Sequence, residues 1–284
     1  MRRQSGFTLV ELIMTLVVLA VVSVGIAGFV RSSVGIFNDV TEREQLLGDS
    51  RFLLERMTRE IRSAVPNSIR VTGNNSAHCL QFVPIDYSTF YLEAPLFPGS
   101  DDELTVVEMG DINGNPYVPV NNASYAIIYP TRPNHVYSTS QRRRRTVIAC
   151  EDAGSNTSCA TLDDPNNSAV LTVDNAFQTT SPANRVYFAS RAHNYCLRNG
   201  NVYFHQSNIQ PNQTLFTSGG VLMAEHVQNV LSPNPSNQGS NSDDPFRLFD
   251  SSLLNNAYVQ LRFRFERNEE VLNYNHEVHV INVP

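Results

Sequence analysis

An uninterrupted apolar run near the N-terminus constrains the fold of this chain more than any other feature. Residues 7–30 carry a single charge, Glu11, and are bounded by Arg2 and Arg3 on one side and Arg31 on the other. About 20 apolar residues in a helix span a bilayer, whereas the apolar region of a cleavable secretory signal has about 7–15 residues. The run therefore predicts a membrane-spanning helix. The arginines before it place the N-terminus in the cytoplasm and the bulk of the chain across the membrane.

Glu11 lies inside this run, where an ionised carboxylate is unfavourable. Insertion scales assign about 2.5–3.5 kcal/mol to a charged residue at the centre of a membrane helix, and less near the interface. Two interpretations are open: the side chain reaches the headgroup level, or it pairs with a positive group supplied by another chain in an assembly. A carboxylate and an ammonium in a medium of low dielectric constant relieve each other's desolvation penalty.

Helical periodicity continues beyond the apolar run. Apolar residues recur every three, four or seven positions, and charges of opposite sign fill the positions between them. Pro66 ends the pattern, because the residue before a proline is pushed out of the helical region. We predict one helix over residues 8–64, with an amphipathic second half that packs on the globular domain. The apolar stripe consists of Phe37, Val40, Leu47, Leu54, Met57, Ile61 and Ala64.

The rest of the chain has the pattern of strands and loops. Short apolar or alternating runs are separated by Asn, Gly, Pro and Ser. Asn199 and Gly200 between two such runs predict a β-hairpin, and residues 232–245 predict a polar loop. The fold class is therefore α+β, a long helix followed by a mainly antiparallel β-rich domain. Strands are predicted over 68–71, 79–84, 104–109, 125–129, 146–150, 169–173, 185–191, 193–198, 201–206, 258–266 and 277–283.

Four cysteines, an even number, predict two disulfides in an exported chain. Sequence alone permits three pairings. We favour Cys150 with Cys159, which closes a short polar loop, and Cys79 with Cys196, which joins two predicted strands. Free buried thiols in a cytosolic protein are the alternative, and they conflict with the membrane segment.

Other chemistry has weak support in the sequence. No nucleophile elbow, phosphate-binding loop or dinucleotide-binding turn is present, so we expect no catalytic residue and no enzyme activity. A net charge of -6 argues against general nucleic-acid binding. Residues 142–145 are four consecutive arginines, which we interpret as a solvated loop in preference to a grip for anionic lipid, polysaccharide or nucleic acid.

We expect no metal and no cofactor. His276, Glu277 and His279 do not form the helical zinc motif, and on a strand the two histidines point to opposite faces. Asp111, Asn113 and Asn115 surround Gly114, but the glycine is misplaced for a calcium loop and no closing glutamate follows. A polar turn is the interpretation here, with calcium as the alternative.

The N-terminus resembles the prepilin signature, in which a short basic leader precedes G-F-T-L-x-E-L at the start of an apolar helix. Farther along, ERMTREIRSAVPNSIRV, CLQFVPI, NYCLRNG, MAEHVQNV and NHEVHVINVP resemble the PilW-like minor pilins, a group that includes minor pilins of the mannose-sensitive haemagglutinin (MSHA) pilus. Residues 85–145 and 151–182 carry no part of this resemblance. The residues that match the prepilin signature are Arg2, Arg3, Gly6, Phe7, Thr8, Leu9, Glu11 and Leu12.

The resemblance implies a processing pathway. A prepilin peptidase cuts between Gly6 and Phe7 and the new amine of Phe7 is methylated, while Glu11 meets the N-terminal amine of a neighbouring subunit. The implied partners are major and minor pilins, the peptidase and the inner-membrane assembly platform. The chain then crosses the inner membrane once, with its C-terminal domain in the periplasm, before it reaches the pilus at the cell surface. The implied divisions are a leader (1–6), a transmembrane half (7–30) and an amphipathic half (31–65) of the helix, and a globular domain (66–284).

The resemblance also favours one function over its rivals. It implies a structural subunit that acts in initiation or at the tip of a type IV pilus used for surface attachment. A minor pseudopilin of a type II secretion system shares the same N-terminal features, and a tip adhesin for glycan or DNA is a second rival. A membrane-anchored periplasmic enzyme is a third.

Overall fold

A computed structural model describes residues 8–107, 110, 113, 115–152, 159, 167–235, 243–249, 258–268 and 270–280. The chain divides into two compact units, Met1–Gly48 and Asp49–Pro284. The second unit therefore includes the last turns of the N-terminal helix as well as the predicted globular range 66–284. The predicted leader, residues 1–6, lies outside the described residues.

Helix α1 spans Leu9–Arg62, two residues shorter at its C-terminal end than predicted. From Leu9 to Val40 its apolar side chains are exposed, and Phe37 and Val40 of the predicted stripe are 70% and 52% accessible. In the second unit the stripe is a core face, because Met57 and Ile61 are fully buried. Burying each such side chain contributes about 1.5–3 kcal/mol, which fixes this end of the helix on the domain.

The remaining elements are mainly antiparallel strands, which confirms the predicted α+β class. A five-residue helix α2, Pro133–Tyr137, begins with proline at its first position. The strands are β1 Arg70–Asn74, β2 Ala77–Phe82, β3 Tyr87–Glu93, β4 Glu103–Val107, β5 Tyr125–Ile128, β6 Arg144–Asp152, β7 Ser168–Val173, β8 Arg185–Ala189, β9 Ala192–Arg198, β10 Asn201–Ser207, β11 Val221–Ala224, β12 Phe246–Phe249, β13 Tyr258–Arg267 and β14 Glu270–His279.

The first sheet has five strands in the order β1-β2-β9-β10-β11. The predicted hairpin between β9 and β10 is confirmed, with Arg198 paired to Asn201 across a two-residue turn. Asn199 and Gly200 both have positive φ, of 50° and 74°. This left-handed backbone matches the twist of a tight hairpin and suits asparagine and glycine.

Six strands close into a barrel in the order β3-β4-β7-β6-β5-β8. Its interior is a packed apolar core that includes Leu104, Val147, Leu171 and Phe188, all fully buried. Because each strand is paired on both sides, closure leaves no open sheet edge.

The third sheet has three strands in the order β12-β13-β14. Strand β13 alternates as predicted, with Val259, Leu261 and Phe265 fully buried. The last predicted strand, 277–283, is wrong at its start, because β14 already begins at Glu270. The reason is that residues 270–276 alternate between exposed and half-buried positions, so their polar residues belong to the solvent face of a strand.

Among the described residues, three strands and one α-helix were not predicted from the sequence. In β3 both faces carry apolar residues, since Tyr91 is buried while Phe90 and Leu92 are 48% and 63% exposed. This removes the alternation that signals a half-buried strand. Strands β11 and β12 have four residues each, and α2 has five, too few to establish a period.

Candidate functional site

The first turn of helix α1 is held by a side-chain cap. Thr8 stands before the first helical residue, and its hydroxyl oxygen Oγ1 accepts a hydrogen bond of 3.3 Å from the backbone N–H of Glu11. The carbonyl of Thr8 also accepts from the backbone N–H groups of Glu11 and Leu12, at 3.1 and 3.2 Å. Threonine three residues before glutamate is the capping-box pattern, a signal that sequence analysis overlooked.

Glu11 projects from this first turn and is exposed. A carboxylate at the N-terminal end of a helix interacts favourably with the partial positive charge of the unpaired backbone N–H groups. No side chain within the described part of the chain pairs with this carboxylate. An exposed carboxylate in this position can accept hydrogen bonds from a positive group on another molecule. Gly6 and Phe7, the predicted cleavage and methylation residues, lie outside the described residues.

The part of α1 that follows this first turn exposes its apolar side chains. An 18-residue window of α1 reaches a mean hydropathy of 2.7 with none of it buried in the structure. Leu9, Val21 and Phe29 are 74%, 69% and 73% exposed. Apolar surface in contact with water costs about 25 cal/mol per Å², so this segment requires a bilayer or apolar neighbours around it.

The comparisons with known proteins agree with this geometry. A family model described as the prokaryotic N-terminal methylation motif matches residues 1–27. This motif indicates a type IV prepilin-like protein. No curated protein and no solved structure gives a significant match. The motif and the apolar helix together fit a membrane-anchored pilin. They imply processing by a prepilin peptidase and association with other pilins and the membrane assembly machinery.

The run of four arginines at 142–145 is not the solvated loop that we predicted. Arg144 and Arg145 begin strand β6, and each is only 5% exposed. Arg144 donates from Nη1 to the carbonyl of Ile209 at 2.8 Å, and Arg145 donates from Nε to the carbonyl of Ala176 at 2.9 Å. These two side chains are buried with backbone carbonyls as acceptors, so they tie loops to the barrel.

The other two arginines of the run stack on aromatic rings. Cζ of Arg142 lies 4.1 Å from the ring centroid of Phe97, and Cζ of Arg143 lies 5.2 Å from that of Tyr129. Arg143 also donates to the carbonyl of Tyr129 at 3.1 Å. These partners are not predictable from the sequence, because the aromatic residues come from separate segments.

The histidines considered as metal ligands lie on one strand, β14, where His276 is half-buried and His279 is exposed on the opposite face. Within the described ranges, no group of three or more His, Cys, Asp or Glu side chains is placed to hold a metal ion. Of the predicted polar turn, Asp111 and Gly114 lie outside the described residues.

Both favoured cysteine pairs are joined in the structure. Cys79 and Cys196 are directly opposite each other on β2 and β9, and both are fully buried. Cys150 on β6 is bonded to Cys159, whose side chain belongs to the barrel core. The first disulfide fastens the centre of the five-stranded sheet, and the second closes a loop at the barrel.

A charged cluster that sequence analysis missed fastens the end of α1 to the five-stranded sheet. Glu60 accepts a hydrogen bond from Nε of Arg56 at 2.9 Å, and its other oxygen lies 3.1 Å from Nδ1 of His193 on β9. The guanidinium of Arg56 also lies over the ring of Phe204, at 5.2 Å. Burial by itself raises the pKa of Glu60, but the hydrogen bonds from His193 and Arg56 outweigh burial and leave the pKa lowered.

We expect the substitution Glu60→Gln to destabilise the domain by about 1.5–3 kcal/mol at pH 7, the usual contribution of a hydrogen bond to a charged group. A carboxyl whose pKa is lowered by folding contributes stability above its unfolded pKa of about 4.3, and this contribution is lost as the pH falls through its folded pKa. The difference between the two proteins should therefore shrink below about pH 4. Urea unfolding at pH 7 and pH 3.5 measures it.

Glu55→Gln is the matched control, since Glu55 is exposed on the same helix. This variant should unfold like the unmodified chain at both pH values. A Glu60→Gln effect that stays the same size at pH 3.5 would contradict the role assigned to the carboxylate.

Proposed function

We propose that this chain is a minor pilin-like subunit that takes part in the assembly of a type IV pilus. The observation that carries the proposal is the capped helix start, with a Glu11 carboxylate that has no side-chain partner among the described residues, followed by an exposed apolar span. A single helix anchored in the inner membrane holds the subunit before assembly. Within the filament, the same apolar surface is covered by the helices of neighbouring subunits.

Glu11 is proposed to set the position of each incoming subunit. In low dielectric, a carboxylate without a positive partner is unfavourable, whereas one paired with an N-terminal amine is stabilised. The amine of Phe7, freed by cleavage after Gly6 and methylated, is proposed as the group that Glu11 of a neighbouring subunit contacts. A subunit displaced along the filament axis loses this pair, so the pair selects one register.

The finer assignment rests on the resemblance of the downstream segments to the PilW-like minor pilins, and among them to MshO. We propose on this ground an MSHA-type pilus used in surface attachment, with this chain at the initiating or tip position. The second candidate is a minor pseudopilin of a type II secretion system, which the same helix and motif favour. Deletion of the gene separates the two, because the first predicts loss of pili and the second predicts loss of protein secretion.

The burial of Arg144 and Arg145 weighs against the third candidate, a tip adhesin that uses the arginine run to bind glycan or DNA. These guanidinium groups already donate to backbone carbonyls of the same chain. A ligand would have to displace those bonds to reach them.

The N-terminal peptide of chain made with its own export machinery tests prepilin processing directly. We expect its mass to correspond to a chain that starts at N-methylated Phe7. Replacing Gly6 with valine should block cleavage, because the resemblance places this small residue at the cut. A chain that still begins at Met1, while the peptidase processes another substrate in the same cells, would contradict the proposal.

A further inference from the structure

Strand β14 is an edge of the three-stranded sheet, with no further strand beside it among the described residues. On the far side of β13, Arg262 donates its backbone N–H to Pro245, and Arg264 accepts at its carbonyl from Gln228. In an antiparallel ladder the N–H and C=O of one residue point to the same side, so these groups of Arg262 and Arg264 point away from β14.

The residues opposite them on β14 therefore point their backbone groups out of the sheet. Asn275 is opposite Arg262, and Asn273 is opposite Arg264. Within the part of the chain that the structure describes, no hydrogen bond reaches these outward groups. A row of unpaired N–H and C=O groups is the surface to which an additional strand binds.

The apolar face of the three-stranded sheet is also less buried at β14 than at β13. Leu272 and Tyr274 on β14 are only half-buried, whereas Phe265 and Phe263, directly opposite them on β13, are 0% and 2% exposed. A strand added beside β14 would complete the burial of this face.

A groove runs beside the edge, between β14 and the last turns of α1. It has a volume of about 530 Å³ and is lined in part by Leu54, Thr58 and Tyr274. The hydroxyl of Thr58 is buried without a hydrogen-bond partner among the described residues. The helix residues that line the groove, from Leu54 to Arg62, extend over about 12 Å. This length corresponds to about four residues of an extended chain.

The rim of the groove has a positive charge. Arg59 and Arg62 are exposed along it, and neither is in an ion pair within the described residues. Glu55 is the one acidic residue among the described residues that line it. An occupant with a carboxylate at the level of the two arginines is complementary to this rim.

We propose that the β14 edge and its groove bind an extended segment of a different prepilin-like subunit. The segment adds a fourth strand to the sheet, buries an apolar side chain against Leu54 and sets a carboxylate against Arg59 and Arg62. Two copies of this chain paired symmetrically through β14 would instead bring the arginines of both copies to one groove, where like charges repel. The inference rests on the proposed function, which supplies the neighbouring subunits.

A photo-cross-linking amino acid in place of Asn275 tests the contact in the full chain, expressed in its own host with the assembly machinery. We expect a cross-link to a different prepilin-like subunit, which mass spectrometry should locate in an extended acidic segment. The same probe at Ser88, exposed on the closed barrel, should give no such product.

Reversal of the rim charges tests the recognition. In the variant with Arg59→Glu and Arg62→Glu, we expect the cross-link yield to fall about tenfold or more, as attraction becomes repulsion. Arg51→Glu, an exposed change on the same helix, should leave the yield unchanged. A further variant combines Asn275→Pro with the photo-cross-linking amino acid in place of Glu277. The proline removes an outward backbone N–H, so the cross-link yield should fall while the thermal unfolding temperature stays close to that of the parent.

Two results would overturn the inference while leaving the proposed function intact. The first is that the chain is processed and enters filaments, but the probe at position 275 gives no cross-link or gives a cross-link to a second copy of this chain. The second is a cross-link yield that stays the same in the variant with Arg59→Glu and Arg62→Glu. An unprocessed chain that never joins filaments would overturn the proposed function, and this inference with it.

Discussion

Replacing Glu11 with leucine should lower the incorporation of this chain into filaments by about 100-fold or more. Removal of one partner of a buried ion pair costs about 3–5 kcal/mol, because the other charge stays desolvated and unpaired, and each 1.4 kcal/mol is about tenfold. Leucine makes the span more apolar, so membrane insertion should be retained. The measurement compares the chain in sheared filaments with the chain in the membrane fraction.

Glu44→Leu on the exposed surface of the same helix provides the control, and it should enter filaments as the parent does. Both variants should still start at Phe7. Equal filament content for the Glu11→Leu and Glu44→Leu chains would show that the carboxylate has no part in assembly.

Replacing both Cys79 and Cys196 with alanine should destabilise the domain by about 4–5 kcal/mol. The two residues are separated by 117 positions, and cross-links that close longer loops restrict the unfolded chain more strongly. Both side chains are fully buried at the centre of a sheet, so alanine introduces no buried polar group. Urea unfolding of the full chain in detergent, without reductant, gives the difference in free energy.

The pair Cys150 and Cys159 is the internal comparison, because its sequence separation is 9. Its replacement by alanine should cost about 2–3 kcal/mol on the same loop-closure estimate. If the short-loop variant proved the less stable of the two, loop closure would not be the main source of stabilisation.

Local signals predicted much of this fold. The apolar span, Pro66 and the pair Asn199 and Gly200 each act within a few residues, so the bounds of α1 and the β9–β10 hairpin follow closely from sequence. Strand β13 was found for the same reason, since alternation along one strand shows which face is buried. Of the candidate site, the sequence supplied Glu11 and the apolar helix.

The features that escaped prediction depend on contacts between distant segments. Glu60 and His193 are separated by 133 positions, and nothing near either residue identifies the other as its partner. The arginine run was misinterpreted because four adjacent charges normally indicate solvent exposure, whereas here backbone carbonyls of Ile209 and Ala176 accept hydrogen bonds from Arg144 and Arg145. The open edge of β14 became visible only once the strand order was known.

Closure of the six-stranded barrel has a consequence for how the surface of this protein can diverge. Every barrel strand is paired on both sides, so insertions at the barrel's rims create no new strand edge and no new site for unwanted pairing between molecules. The barrel can therefore accumulate surface changes at little risk of aggregation. The three-stranded sheet, in which β14 is an edge among the described strands, does not have this freedom.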